Sequence, residues 1–111
     1  MDQERARRLL DDERSRVEQL LKETETDARV DREEANEPGD LSDPAERLTA
    51  EEADDAVVAG LRERMDALDR AERRLEGGTY GYSIRSGLAI PDARLEADPA
   101  AELTVEEERE A

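Results

Sequence analysis

The stretch Val57-Val58-Ala59-Gly60-Leu61-Arg62-Glu63-Arg64-Met65-Asp66-Ala67-Leu68-Asp69-Arg70-Ala71-Glu72-Arg73-Arg74-Leu75-Glu76-Gly77-Gly78 decides the fold. Val58, Leu61, Met65 and Leu68 fall at the alternating three- and four-residue spacing of a coiled-coil seam, and Leu75 extends the stripe. Val58, Met65 and Glu72 are seven apart, as are Leu61, Leu68 and Leu75. Gly77-Gly78 is a helix stop, and Asp43-Pro44-Ala45-Glu46 is a helix start with Asp as N-cap, Pro at the first position and Glu two further on. The spacing predicts a helix over 44–76. A second start signal, Thr49-Ala50-Glu51-Glu52, overlaps the first, so a bend or a fresh start at residue 49 is expected.

Upstream, residues 2–35 contain no Pro or Gly and read as one long helix. Leu10, Val17, Thr24 and Asp31 are seven apart, and Leu9, Leu20, Leu21 and Ala28 thicken that stripe. Between the helices, Asn36-Glu37-Pro38-Gly39-Asp40-Leu41-Ser42-Asp43-Pro44 is a turn with three acids and no base. Two helices of similar length on a short turn pack antiparallel. Each spans about 50 Å at 1.5 Å per residue, so the expectation is a helical rod with its tip at about 37–48.

Composition agrees. The 111 residues carry 17 basic and 33 acidic side chains, a net charge of −16, and only 2% aromatics, both of them Tyr. Such a chain cannot fill a wide core but can fill the seam between two helices. There is no Cys or His, which removes disulfides, thiolate zinc sites and His-based catalysis. No nucleophile–base pair can be assembled, so an enzyme is the least favoured class. No apolar run of membrane-spanning length exists, and the charged start of the chain does not read as a secretory leader. A cytoplasmic protein without a membrane partner is expected. The charge sign argues against direct, sequence-specific nucleic-acid binding and for a basic partner surface.

Residues 77–111 change character. Thr79 to Pro91 has turn glycines and alternating apolar positions, which suggests a short hairpin. Asp92 to Ala97 reads as a short helix stopped by Asp98-Pro99, and Thr104 to Glu110 as a last one. Tyr80, Tyr82, Ile84, Leu88, Ile90, Leu95, Leu103 and Val105 are the candidate apolar cluster. The domains expected are therefore a helical hairpin over 1–76 and a small subdomain over 77–111, mainly α throughout.

Gly78-Thr79-Tyr80-Gly81-Tyr82, followed by Ile90-Pro91-Asp92-Ala93-Arg94-Leu95-Glu96-Ala97-Asp98-Pro99, resembles the C-terminal zinc-finger region of the DksA/TraR family. The preceding hairpin with its acidic tip is similar to that family's architecture. The departure is at the metal. Where the family has its first Cys-x-x-Cys, Ser83-Ile84-Arg85-Ser86 stands here; where it has the second, Thr104-Val105-Glu106-Glu107 stands. Hydroxyls are poor zinc ligands beside thiolate, and one carboxylate cannot hold zinc alone. The expectation is a degenerate finger at Ser83, Ser86, Thr104 and Glu107, with no cofactor. Thr104-x-x-Glu107 reads instead as a capping box that starts the last helix without metal.

The resemblance implies a transcription regulator whose coiled-coil tip enters the secondary channel of RNA polymerase core. The family's tip motif D-x-x-D-x-A corresponds to Asp43-Pro44-Ala45-Glu46-Arg47-Leu48, with the first acid kept, the second changed to Glu and the Ala to Leu. Asp43 and Glu46, with Asp40 and Leu48 beside them, are the partner-binding candidates; a carboxylate suits basic groups or magnesium-bound water. The same residues also serve as a helix cap, and both roles fit. The resemblance further implies ppGpp at a surface shared with polymerase. Two alternatives remain: a coiled-coil interaction module that lost polymerase along with zinc, and an acidic nucleic-acid mimic. Acids and bases interspersed at helical-neighbour spacing favour intrahelical pairing over mimicry. Tyr80 and Tyr82 read as the packing anchor of the subdomain.

Overall fold

The structure, a computed structural model, describes the backbone of residues 1–35 and 44–110 and the side chains of 1–24 and 55–110. It is mainly helical: α1 (Gln3–Ala35), α2 (Pro44–Gly77), α3 (Asp92–Ala97) and α4 (Val105–Glu110) follow one another along the chain. α1 and α2 form the antiparallel helical hairpin, and α3 and α4 belong to the small finger-like region after it. The turn expected between the two long helices lies outside the described residues. α2 runs unbroken through residue 49, so the second start signal does not interrupt it; a helix already propagating gains one hydrogen bond per residue and has no need of a new cap.

α1 begins and α2 ends where the local chemistry directs. Asp2 Oδ1 accepts the Arg5 amide at 2.8 Å, an N-cap for α1. α2 stops in a Schellman motif: Gly78 N donates to Leu75 O at 3.3 Å and Thr79 N to Arg74 O at 2.8 Å. Gly78 makes this possible with φ of 79°, a left-handed backbone that costs a side-chain-bearing residue energy.

The chain divides into two compact units, one of Met1–Ser15 with Met65–Ala111 and the other of Arg16–Arg64. In the first, Ala6 and Leu10 of α1 and Leu68, Ala71 and Leu75 of α2 are buried, Leu68 completely. Arg14 bridges the two helices, its Nε donating to Glu72 Oε1 at 3.0 Å and its Nη2 to Asp69 Oδ1. These hydrogen bonds hold the guanidinium further toward its charged form. They also explain the acid in the seam: Glu72 occupies a coiled-coil position and is neutralised across the pair.

A second cluster, Ile90, Leu95 and Ala101 with Tyr80 packed against it, forms the core of the finger-like region. Charged contacts join this region to the helices. Arg5 of α1 reaches Glu96 and, at 3.9 Å, Asp92 of α3. Arg70 and Arg74 of α2 both reach Glu102, at 2.8 and 3.6 Å. The expected hairpin over 79–91 is reduced to a single antiparallel bridge, Tyr82 with Ala89, because the tight turn at Gly87 leaves too little chain for a ladder.

In the second unit Val17 is buried, seven residues after Leu10 as the stripe requires, and Val58 and Leu61 are partly buried. Leu20 is a correction to the stripe: it is 40% exposed, three residues after Val17 but rotated off the buried side. Thr24 returns its hydroxyl to Leu20 O at 2.8 Å, the usual way a mid-helix threonine satisfies its hydrogen.

Truncating Leu68 to Ala is expected to lower the free energy of unfolding by about 2–5 kcal/mol. Leu20→Ala should change it by no more than about 0.5 kcal/mol. Urea denaturation followed by circular dichroism at 222 nm checks both.

Candidate functional site

Two groups of residues were marked by the sequence. Of the tip candidates, Asp40 and Asp43 lie outside the described residues, and Glu46 and Leu48 lie on α2 with side chains outside them. The other group, Ser83, Ser86, Thr104 and Glu107, is brought together from two segments into one hydrogen-bonded knot.

The knot is built from the chain upward. Gly87 adopts φ of 76° and donates its N–H to Ser83 O at 3.0 Å, while Ser83 N donates to Leu88 O at 2.8 Å. This folds residues 83–88 into a closed knuckle with the Ser83 hydroxyl at its centre. That oxygen accepts Arg85 N at 3.1 Å and Ser86 N at 3.2 Å. Its own hydrogen goes to Glu107 Oε2 at 2.9 Å, so the knuckle is fastened to α4. The other Glu107 oxygen, Oε1, accepts Thr104 N at 3.2 Å, and Glu107 N donates to Thr104 Oγ1 at 3.2 Å. This is the capping box that the Thr104-x-x-Glu107 spacing predicts. A further strap, Ile84 N to Glu102 O at 2.9 Å, ties the knuckle to the segment before α4.

Ser83, Thr104 and Glu107 are all buried, Glu107 at 8% exposure. Burial pushes the Glu107 carboxyl up. The hydrogen bonds from the Ser83 hydroxyl, the Thr104 amide and hydroxyl, and the Ser86 hydroxyl outweigh it and hold the group below its ordinary value of 4.5. An ionised carboxylate receiving this many donors is the electrostatic centre of the region.

Zinc does not fit here. The donors are three hydroxyls and one carboxylate, with no thiolate or imidazole. Both oxygens of the carboxylate already accept hydrogen bonds from within the knot. Among the described residues no group of three or more acidic side chains is placed to hold a metal ion.

The apolar cluster is smaller than the sequence suggests. Tyr80 anchors it, its hydroxyl donating to Pro99 O at 2.8 Å, and burial of the phenol pushes its pKa up to about 12. Tyr82, Ile84 and Leu88 are corrections: they are 50%, 60% and 63% exposed. Tyr82, in the bridge with Ala89, precedes the inward-facing Ser83 and so faces outward, while Ile84 and Leu88 lie on the turn that the Ser83 hydrogen bonds close. Leu103 and Val105 are partly buried. Sequence reasoning missed Arg14 and Glu102, whose roles depend on partners 55 to 58 and 32 residues distant; the one signal was an acid, Glu72, at a seam position.

A helical hairpin followed by a knuckle that side-chain hydrogen bonds fasten to a capped terminal helix defines a helical-hairpin protein with a small finger-like C-terminal region. No family model matches the chain. The RNA polymerase-binding transcription factor DksA of Caulobacter vibrioides is 37% identical over 102 residues, 88% of this chain and 61% of that protein. General stress protein 16O of Bacillus subtilis is 36% identical over 66 residues, 60% of this chain and 40% of that one. The solved structure of transcription factor DksA2 from Pseudomonas aeruginosa superposes with a TM-score of 0.80 at 25% identity, covering 97% of this chain and 81% of the other. The chain thus spans about three fifths of the length of the DksA it matches. It belongs to the DksA/TraR family, as a divergent member without cysteines.

Point variants and metal analysis test the knot. Because the folded-state pKa of Glu107 lies below its unfolded value, its contribution to stability is complete above about pH 4.5 and is lost as pH falls through the lower, folded value. Glu107→Gln should remove that part of the acid dependence of the melting temperature. Thr104→Ala should cost about 1 kcal/mol as a lost cap. Metal analysis of the purified protein should find no stoichiometric zinc, and a chelator should leave the melting temperature unchanged.

Proposed function

We propose that this protein is a DksA-like transcription regulator that binds RNA polymerase core and places the tip of its hairpin in the polymerase secondary channel. The observation that carries this reading is the 37% identity with a polymerase-binding DksA over 88% of the chain, supported by the TM-score of 0.80 against DksA2. The hairpin over 1–76 is the inserting part and the region 77–111 its base. Asp43 and Glu46 are the acting carboxylates, with Asp40 and Leu48 at their side. The protein performs no catalysis of its own and reads no DNA sequence. It works in the cytoplasm, where its partner is, and ppGpp would act at the surface it shares with polymerase. No helix among the described residues is long and apolar enough to cross a membrane.

The physics of the reading is electrostatic. A chain of net charge −16 is steered toward a positively lined opening at a rate that falls as salt rises. The tip carboxylates would meet magnesium-bound water or basic groups there.

Affinity capture of core polymerase with the tagged protein should recover a complex, and a known secondary-channel factor in excess should displace it. The double variant Asp43→Asn with Glu46→Gln should still be captured but lose its effect on initiation in a run-off transcription assay. A double variant as active as the parent would refute the tip's role.

A further inference from the structure

The chain's two aromatic residues line one cleft. It has a volume of about 560 Å³ and lies within the unit of Met1–Ser15 and Met65–Ala111. Its apolar lining comes from Leu75, Ile90 and Leu95, all buried residues of the two core clusters. Tyr80 is a fixed wall, because its hydroxyl is tied to Pro99 O. Tyr82 is half-exposed. Gly78 also lines the cleft, with open space where a Cβ would lie.

Two carboxylates, Glu76 and Asp92, complete the lining. Asp92 has Arg5 Nη1 at 3.9 Å and the Met1 nitrogen at 3.3 Å. Glu76 makes no ion pair with any described residue. An anionic ligand is excluded by these groups and by the net charge of −16. A neutral apolar ligand would desolvate a carboxylate without pairing it. A guanidinium meets every requirement: its plane stacks on a tyrosine ring, its fork pairs with a carboxylate, and its methylene stem covers apolar surface.

We propose that this cleft is a receptor for an arginine side chain of a protein partner, with the guanidinium on the Tyr82 ring and paired to Glu76. The site uses none of the tip residues and does not rest on the polymerase reading. It is a second, separate point of recognition with its own chemistry.

The test exploits the composition. With no Phe, Trp or His in the chain, the aromatic region of the proton NMR spectrum contains only the rings of Tyr80 and Tyr82. Titration with the blocked tripeptide acetyl-Gly-Arg-Gly-amide should shift the Tyr82 ring protons saturably. The same peptide with citrulline, the uncharged isostere, should bind at least about five-fold more weakly, since it lacks the charge-assisted bond. Glu76→Gln, an exposed change that leaves the fold intact, should weaken the arginine peptide by a similar factor. Tyr82→Leu should weaken it as well, read then through Tyr80. No saturable shift, equal binding of the citrulline peptide, or undiminished binding by Glu76→Gln would each overturn the proposal. None of these outcomes bears on capture of polymerase.

Discussion

The hydrogen bond from the Ser83 hydroxyl to the Glu107 carboxylate is the contact on which the C-terminal region depends. It joins segments 24 residues apart and gathers the other polar bonds around it. On one side Ser83 organises the knuckle through the Arg85 and Ser86 amides. On the other, Glu107 caps α4 through Thr104. Each partner is buried, so removal of either leaves the other unsatisfied away from water, which costs more than the bond itself contributes. The centre of this region is one negative charge and the donors that surround it.

A second constraint governs the long helices. With almost no aromatic volume available, the seam is filled by Ala6, Leu10, Leu68, Ala71 and Leu75, small and medium side chains that allow close approach. Charge supplies what size does not. Arg14 spans the helices to Asp69 and Glu72, and Arg70 and Arg74 converge on Glu102. Partly exposed pairs of this kind contribute little individually. Their value is in register, since a helix shifted by one turn would bring Arg14 opposite other residues.

Much of this was legible in the sequence because the signals were local. The Leu68–Leu75 heptad, the Gly77-Gly78 stop and the Thr104-x-x-Glu107 box each act within a few residues, and the structure places each as its spacing requires. Long-range facts were not legible. That Ser83 would donate to Glu107, with Tyr82 beside it turned outward, depends on a closure no window of sequence displays. The difference between the two tyrosines, one anchored to Pro99 and one half-exposed, was not legible either.

The knot also bears on how the chain reaches its folded state. Every group that closes it is carried by the polypeptide, so the closing step is unimolecular and has the timescale of a loop meeting a helix end, microseconds or faster. A chain leaving the ribosome can form these hydrogen bonds as soon as α4 has emerged.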